Sequence, residues 1–271
     1  MATLILARHG RTTANVSGVL AGRSKGVHLD DTGVAQARAA AERLSGLPLA
    51  GVVTSPLERC RETAREIVRR QDPAPKVSTE RGLLECDYGD WTGRELKTLA
   101  KEPMWKTVQA HPSAAVFPGG ESMTAMSSRA VGAVRRWDAA LEAEHGPDAV
   151  WVVVSHGDVI KAVLADALGI HLDMFQRIMV DPASITVIRY TPGRPFVVKV
   201  NDNGGVLATL VPPAKARRGR RAKATDSDAP DLTAIAGNGA TKSAPDAPAA
   251  SANGTGRSGS VSGSARRARG G

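Results

Sequence analysis

Cysteine is scarce in this chain, and only Cys60 and Cys86 occur among its 271 residues. Two cysteines are too few for a disulfide framework, so we expect reduced thiols, each buried as a small apolar side chain. No basic segment precedes an apolar stretch at the start of the chain, which argues against a secretory signal. No apolar run approaches the roughly 18–20 residues that a membrane span requires. These absences predict a cytoplasmic protein that does not enter a membrane.

The charge of the chain is unevenly distributed. Its formal net charge is +9, with 42% hydrophobic and 23% charged residues, values typical of a soluble globular protein. Residues 212–271 hold 11 Lys or Arg and 4 Asp, a net +7, which leaves only +2 for residues 1–211. The strong basicity therefore belongs to the C-terminal part of the chain.

The C-terminal part also differs in composition from the rest. From about Pro212 the chain is dominated by Ala, Gly, Ser, Pro and Arg. Such a segment buries too little apolar surface to offset its ordering entropy, so we predict a folded domain over 1–211 and a disordered basic tail over 212–271. The basic cluster at 215–223 is most simply a solvated segment, with nonspecific contact to nucleic acid or an acidic partner as the alternative. It contains no aromatic residue, so base stacking is not expected.

A short apolar run, Leu4–Ala7, ends abruptly in Arg8, His9 and Gly10. The run is too short for a helix core, and we interpret it as a buried strand. In open α/β sheets ligands bind outside the carboxyl ends of the strands, which is where Arg8 and His9 would lie. Gly10 would let the backbone turn sharply or approach a ligand closely.

Two further segments repeat this arrangement. The apolar run 150–154 leads through Ser155 into His156 and Gly157, and the run 51–54 is followed by a polar segment that contains Arg59. Three strand ends would then bring Arg8 and His9, Arg59, and His156 to one cationic pocket.

The three segments resemble the motifs of a known family. Arg8-His9-Gly10, the Ser-x-Leu-x-Arg-x-x-x-Thr segment 55–63 and His156-Gly157 stand in the order found in the histidine phosphatase superfamily, whose members are phosphoglycerate mutase-like. The resemblance extends over roughly residues 3–200. The predicted fold is a three-layer α/β/α sandwich with a mostly parallel sheet and helices on both faces.

The resemblance implies roles for the residues of the cationic pocket. His9 would attack phosphorus as a neutral imidazole and form a phosphohistidine, while its other ring nitrogen donates to a backbone carbonyl. Neighbouring cations would keep His9 unprotonated. Arg8 and Arg59 would bind phosphate oxygens with their planar guanidinium groups. His156 would add a donor, and the helix beginning at Gly157 the positive end of its dipole.

Glu85 falls on the acid position of the family, in the segment 83–93. To protonate a leaving alkoxide it must itself be protonated, so its pKa should be raised by partial burial and by the nearby phosphate. Asp87 is the competitor, because two residues apart in an extended segment point to the same side. The resemblance also implies that Asn15 helps hold the phosphate and that Gly22 reaches the substrate through its backbone. A turn or cap role is the alternative for Asn15.

The family contains both mutases and phosphatases. Here Cys86, not an arginine, follows Glu85, and residues 94–118 lack the arginine pair of glycolytic mutases. We therefore expect metal-independent hydrolysis of a small-molecule phosphomonoester, with no cofactor, by a monomer or homodimer. A mutase (isomerase) reaction and hydrolysis of phosphohistidine in proteins are the alternatives, and a non-catalytic binding protein tethered by its basic tail is the hypothesis from another class.

Sequence patterns also predict the secondary structure and the remaining histidines. Apolar spacing predicts a helix over 34–44, and Ser55 before Pro56 predicts the N-cap of the next helix. Further helices are expected at 94–111, 123–144 and 157–167, and strands at 3–7, 51–54, 76–79, 149–155, 185–190 and 196–200. His28, His111, His145 and His171 are expected at the surface without a role.

Overall fold

The computed structural model of the protein describes residues 2–204. The predicted disorder of 212–271 and the basic cluster at 215–223 lie outside the described residues. No helix within 2–204 is long and apolar enough to cross a membrane.

A six-stranded sheet forms the middle layer, in the order β3-β2-β4-β1-β5-β6. β3, β2, β4 and β1 run parallel, whereas β5 and β6 are antiparallel to their neighbours. The strands are β1 Thr3–Arg8, β2 Leu49–Thr54, β3 Val77–Thr79, β4 Val150–Ser155, β5 Ile185–Arg189 and β6 Phe196–Asp202. The mixed, mostly parallel sheet confirms the predicted fold class.

Seven α-helices accompany the sheet in the described part of the chain. They are α1 Thr13–Ser17, α2 Asp31–Leu44, α3 Glu58–Val68, α4 Leu96–Leu99, α5 Pro103–Ala110, α6 Met123–His145 and α7 Gly157–Leu168. Single 3₁₀ turns lie at Arg81–Leu83, Gly89–Trp91 and Pro112–Ala114, and a longer one spans Leu172–Arg177.

Three helix predictions were wrong in their details. α2 begins at Asp31 rather than at Val34, because the Asp30 side chain accepts from the Gly33 amide at 2.7 Å and caps the helix one turn earlier. The stretch 94–111 forms two short helices, α4 and α5, with the second starting at Pro103. Ser55 is not the N-cap of α3, a position that Leu57 occupies without a side-chain cap.

The two central strands, β1 and β4, are buried on both faces, so alternate residues enter two separate cores. Ile5 and Ala7 pack with α2 and α3, and Leu4 and Leu6 lie in the core that includes α6 and α7. Full burial of a side chain such as leucine contributes about 1.5–3 kcal/mol. This double burial fixes which side of the sheet each strand residue faces.

The register of β1 and β4 brings the two histidine motifs together. Arg8 pairs with Ser155 at the carboxyl ends of these neighbouring parallel strands. The His9 amide then donates to the Ser155 carbonyl at 3.0 Å. His9 and His156 therefore leave the same edge of the sheet side by side.

Gly10 is required by close backbone packing. A Cβ atom at this position would lie 2.3 Å from the Gly33 carbonyl oxygen in α2. The Gly10 amide donates to Thr63 Oγ1 of α3 at 3.1 Å. The glycine after His9 thus allows α2 to approach the end of β1, which is a different use from the sharp turn or ligand approach that we expected.

Candidate active site

His9 is held as a neutral imidazole with a defined tautomer. Its side chain is 4% exposed, and Nδ1–H donates to the Gly10 carbonyl at 2.8 Å, which leaves the lone pair on Nε2. Burial lowers the pKa of His9 well below its ordinary value, and the charges of Arg59 and Arg8 lower it further. The neutral state predicted for this residue is therefore supported by its surroundings.

Two buried arginines lie beside His9. Arg8 Nη1 donates to the Val180 carbonyl at 2.8 Å, and burial lowers the pKa of Arg8 to about 10, so the group stays charged at neutral pH. Arg59 Nη2 donates to the Gly22 carbonyl at 2.7 Å. Its Nη1 is buried and makes no hydrogen bond to any of the described residues. Arg59 thus presents an unused donor in the pocket.

His156 is fully buried behind His9, with the two ring centroids 5.3 Å apart. Burial first, and then the charge of Arg59, lowers the pKa of His156 well below its ordinary value. Its Nε2 lies 2.8 Å from Ser55 Oγ. Ser55 therefore orients a histidine of the site, and this explains why its hydroxyl does not cap α3.

Cys60 also contacts His156. Its Sγ lies 3.4 Å from His156 Nε2, and burial raises the pKa of the thiol to about 12. The thiol is protonated at neutral pH and unsuited to act as a nucleophile. Both Cys60 and Cys86 are free and buried, as predicted.

Glu85 and Asp87 occupy different environments. Glu85 is 7% exposed and lines the pocket, and its Oε1 accepts from the Cys86 amide at 2.9 Å. Burial, followed by the negative charge of Asp158, raises the pKa of Glu85 to about 7. The Asp87 side chain is 39% exposed and binds Arg23 Nη1 at 3.0 Å. The two carboxylates therefore do not point to the same place.

Asn15 and Gly22 reach the pocket through different groups. Asn15 Oδ1 accepts from the amide and the hydroxyl of Thr12, both at 2.9 Å, and so completes the capping box of α1. The cap role that we held as the alternative is thus present, although the residue also lines the pocket. Gly22, at φ 49°, lines the pocket and offers its carbonyl to Arg59.

The pocket itself is small and polar. It is lined by Arg8, His9, Thr12, Asn15, Val19, Leu20, Ala21, Gly22, Arg59, Glu85 and Tyr88. Gly157 is the first residue of α7 and follows His156 directly. All the residues predicted for the site therefore lie around one end of the sheet, although His156, which packs against His9, and Gly157 do not line the pocket itself.

Sequence reasoning missed the buried charges of α7. Asp158 and Lys161 are almost fully buried, three residues apart, with Lys161 Nζ 4.0 Å from Asp158 Oδ1. The available signal was the presence of these two charges in the otherwise apolar segment 157–165. Tyr88, three residues after Glu85, was also missed and lies in the pocket.

The remaining histidines lie at the surface, as predicted. His28, His111, His145 and His171 are all exposed, and His28 Nδ1 lies 2.5 Å from Glu62 Oε1. Within residues 2–204, no group of three or more His, Cys, Asp or Glu side chains is arranged to hold a metal ion.

Known proteins are similar to this chain in sequence and in fold. A family model of the histidine phosphatase superfamily (branch 1) matches residues 4–203. Phosphoserine phosphatase 1 of Hydrogenobacter thermophilus is 31% identical over 207 residues, covering 74% of this chain and 92% of that protein. A probable phosphoglycerate mutase of Proteus mirabilis is 31% identical over 212 residues, with coverages of 77% and 92%. A mycobacterial glucosyl-3-phosphoglycerate phosphatase of known structure is 26% identical with a TM-score of 0.64, over 74% of this chain and 98% of that one. This chain therefore belongs to branch 1 of the histidine phosphatase superfamily and is a histidine phosphatase.

Proposed function

We propose that the protein hydrolyses a small phosphomonoester without a metal, through a phosphohistidine on His9. The observation that carries this proposal is a neutral His9 between two buried arginines, in one pocket with a carboxyl group whose pKa is raised. Arg8 and Arg59 bind the phosphate oxygens, and the unused Nη1 of Arg59 supplies one of the donors. His156 and the N-terminus of α7 stabilise the charge that develops on the transferring group.

The reaction proceeds in two displacements. His9 Nε2 attacks phosphorus, the P–O bond to the alcohol breaks, and protonated Glu85 donates its proton to the leaving oxygen. Water then enters, and the Glu85 carboxylate takes its proton while the water oxygen attacks phosphorus. The P–N bond breaks, and phosphate leaves with His9 and Glu85 in their starting states.

Glu85 is the better candidate for the acid than Asp87. Its burial keeps a proton on the carboxyl near neutral pH, whereas Asp87 is bound to Arg23 and lies outside the pocket lining. Asn15 and Gly22 are assigned to substrate contact, since both line the pocket.

The residue next to the acid favours hydrolysis over mutase chemistry. The glycolytic mutases carry an arginine at that position, whereas Cys86 of this chain is buried with its Sγ 3.7 Å from Met123 Sδ. The phosphatases among the relatives are named for phosphoserine and for glucosyl-3-phosphoglycerate, which are both phosphomonoesters. We therefore assign the substrate to the class of small phosphorylated alcohols, turned over by the domain within residues 1–211 in the cytoplasm.

Phosphate release tests the proposal. The full chain is incubated in EDTA with p-nitrophenyl phosphate, phosphoserine, 3-phosphoglycerate and a panel of sugar phosphates, and acid-labile, base-stable phosphate on the protein is measured after a quench. We expect release and phosphoenzyme that both disappear in His9→Ala and persist in His28→Ala, an exposed histidine outside the pocket. Undiminished turnover in His9→Ala would reject the mechanism, and interconversion of phosphoglycerates without net release would identify a mutase.

A further inference from the structure

A polar cluster of Tyr88, Asp158 and Lys161 is buried beneath the catalytic pocket. We propose that Asp158 is a positioning residue of the hydrolysis, which orients Tyr88 in the pocket and, by its negative charge, holds the Glu85 carboxyl in its protonated form. The proposal rests on the proposed function, in which Glu85 protonates the leaving group.

Asp158 links α7, the helix that follows His156, to a residue that lines the pocket. Asp158 is the second residue of α7 and is 3% exposed. Its Oδ2 accepts from the Tyr88 hydroxyl at 2.7 Å. Its Oδ1 makes no hydrogen bond to the described residues. The carboxylate therefore accepts one hydrogen bond, and its donor, Tyr88, lines the pocket.

Tyr88 is fixed so that its hydroxyl proton points to Asp158, which does not line the pocket. Its ring packs edge-on against Phe117, with centroids 5.0 Å apart, and its hydroxyl donates to Asp158. Burial raises the pKa of Tyr88 well above its ordinary value, so the phenol stays protonated. Because its one proton is committed to Asp158, the phenol oxygen can only accept hydrogen bonds on its other side.

Lys161 forms a long ion pair with Asp158. Its Nζ lies 4.0 Å from Asp158 Oδ1 and also donates to Gln176 Oε1 at 3.2 Å. The same ammonium lies 5.4 Å from the centroid of the Phe175 ring. A buried pair of this kind is weak evidence of stabilisation, because desolvation offsets its attraction. Burial raises the pKa of Asp158, whereas the charge of Lys161 and the hydrogen bond from Tyr88 lower it and so favour the ionised carboxylate.

The charges that face Glu85 come from three elements. Arg8 of β1 and Arg59 of α3 favour the ionised carboxylate, whereas Asp158 of α7 opposes it. Lys161, on the same helix as Asp158, also favours the ionised form of Glu85. Asp158 therefore offsets the effect that Arg8 and Arg59, which phosphate binding requires, have on the pKa of Glu85.

The other charged groups near Glu85 are paired with one another. Arg23 and Arg129 both donate to the Glu85 carbonyl oxygen and both bind Glu121, while Arg23 also binds Asp87. His9 and His156 are neutral, and burial keeps the Cys86 thiol protonated by raising its pKa. Among the charges of residues 2–204 that are left to act on Glu85, the two arginines and Lys161 favour its ionised form, and only Asp158 favours its protonated form.

The test compares two buried aspartates that each accept a hydrogen bond from an aromatic side chain. Asp158→Asn removes the charge and keeps an oxygen for Tyr88. Asp138→Asn is the matched control, since Asp138 is buried on α6 and accepts from Trp151 Nε1 at 2.9 Å. The readout is the pH profile of kcat/KM of the full chain for an alkyl phosphate, which reports the ionisations of the free enzyme and substrate.

In the wild type, we expect kcat/KM to fall as the pH rises through the pKa of Glu85, which burial raises to about 7. Asp158→Asn should move this falling limb to lower pH by about 1 unit, since a like charge raises the pKa of a neighbouring carboxyl. At pH 7 the protonated fraction, and with it kcat/KM, then drops by about fivefold. Asp138→Asn should leave the limb where it is.

The outcomes separate this proposal from the proposed function. An inactive wild type, or activity that survives His9→Ala, rejects the function itself. An active, His9-dependent wild type whose profile Asp158→Asn leaves unchanged rejects the role of Asp158 alone. If Asp158→Asn does not fold, Tyr88→Phe replaces it, because loss of the hydroxyl donor favours protonation of Asp158 and should move the limb in the same direction by a smaller amount. An unmoved limb in Tyr88→Phe would then overturn the proposal.

Discussion

Arg59→Lys is the substitution that tests the phosphate-binding geometry most directly. The arginine uses one nitrogen, Nη2, to hold the Gly22 carbonyl at 2.7 Å, and keeps Nη1 buried without a partner among the described residues. A lysine retains the charge but has one terminal nitrogen, which cannot bind the Gly22 loop and the phosphate in the same geometry. The change therefore removes a contact while it preserves the electrostatic field.

The size of the loss can be worked out from the lost contact. A hydrogen bond to a charged group contributes about 1.5–3 kcal/mol, and each 1.4 kcal/mol corresponds to about a factor of ten. We therefore expect kcat/KM for phosphate release to fall by roughly 10- to 100-fold. Most of the loss should appear in kcat if Nη1 binds the phosphate more tightly in the transition state than in the ground state.

Steady-state kinetics on two or more phosphomonoesters measures the effect, with Arg61→Lys as the matched control. Arg61 lies two residues further along α3 and is exposed, so its replacement should leave kcat/KM unchanged. Thermal unfolding of each variant shows whether the pocket is still formed. A folded Arg59→Lys enzyme with kcat/KM within twofold of the wild type would refute the reasoning.

Three further outcomes are expected. Glu85→Gln should lower kcat/KM for alkyl phosphates by about 10²–10⁴ and for p-nitrophenyl phosphate far less, because p-nitrophenolate leaves without a proton; equal losses in a leaving-group series would contradict this role. Burial depresses the pKa of His9 in the folded state below its ordinary value of 6.5, so the stability it contributes is present above pH 6.5 and is lost as the pH falls. The wild type should therefore lose unfolding free energy as the pH falls below 6.5, and His9→Gln should make this loss smaller by about 1.4 kcal/mol per pH unit. Denaturant titration at several pH values measures the effect. If the plots of unfolding free energy against pH are parallel for variant and wild type, His9 is not a buried neutral imidazole. Removal of residues 212–271 should leave turnover unchanged, and a large loss would assign that segment to the enzyme.

Local patterns were sufficient to predict the strands and the motifs at their ends. The apolar run before Arg8 and the run before His156 each predict a buried strand, and α/β topology then places their ends at one edge. The structure confirms this placement through the pairing of Arg8 with Ser155. Periodicity could not choose between Arg59 and Arg61, since both lie within one turn of α3, and the family pattern supplied that choice.

Features that depend on contacts across the fold were not predictable in this way. Ser55 has the sequence signature of an N-cap, but its hydroxyl binds His156, which is 101 residues away in the chain. A glycine is required at position 10 because Gly33 of α2 approaches it closely. The buried carboxylate of Asp158 accepts a hydrogen bond from Tyr88, which is distant in the chain. Each is a tertiary contact that overrides the local preference, and single-chain spacing carries no information about it.

The pairing of β1 with β4 also determines how the enzyme should lose activity on heating. The His9 amide donates to the Ser155 carbonyl at 3.0 Å, and the His9 carbonyl accepts from the Ala183 amide at 3.1 Å, so His9 continues the central hydrogen-bond ladder. The two histidines can separate only when that ladder opens, which in a buried sheet coincides with global unfolding. The loop around Gly22 lies outside the strands and is held by hydrogen bonds to Gly93, Arg94 and Arg59 instead. As the temperature rises, substrate affinity should therefore weaken before kcat decreases. The chemical step should be retained until the whole domain unfolds.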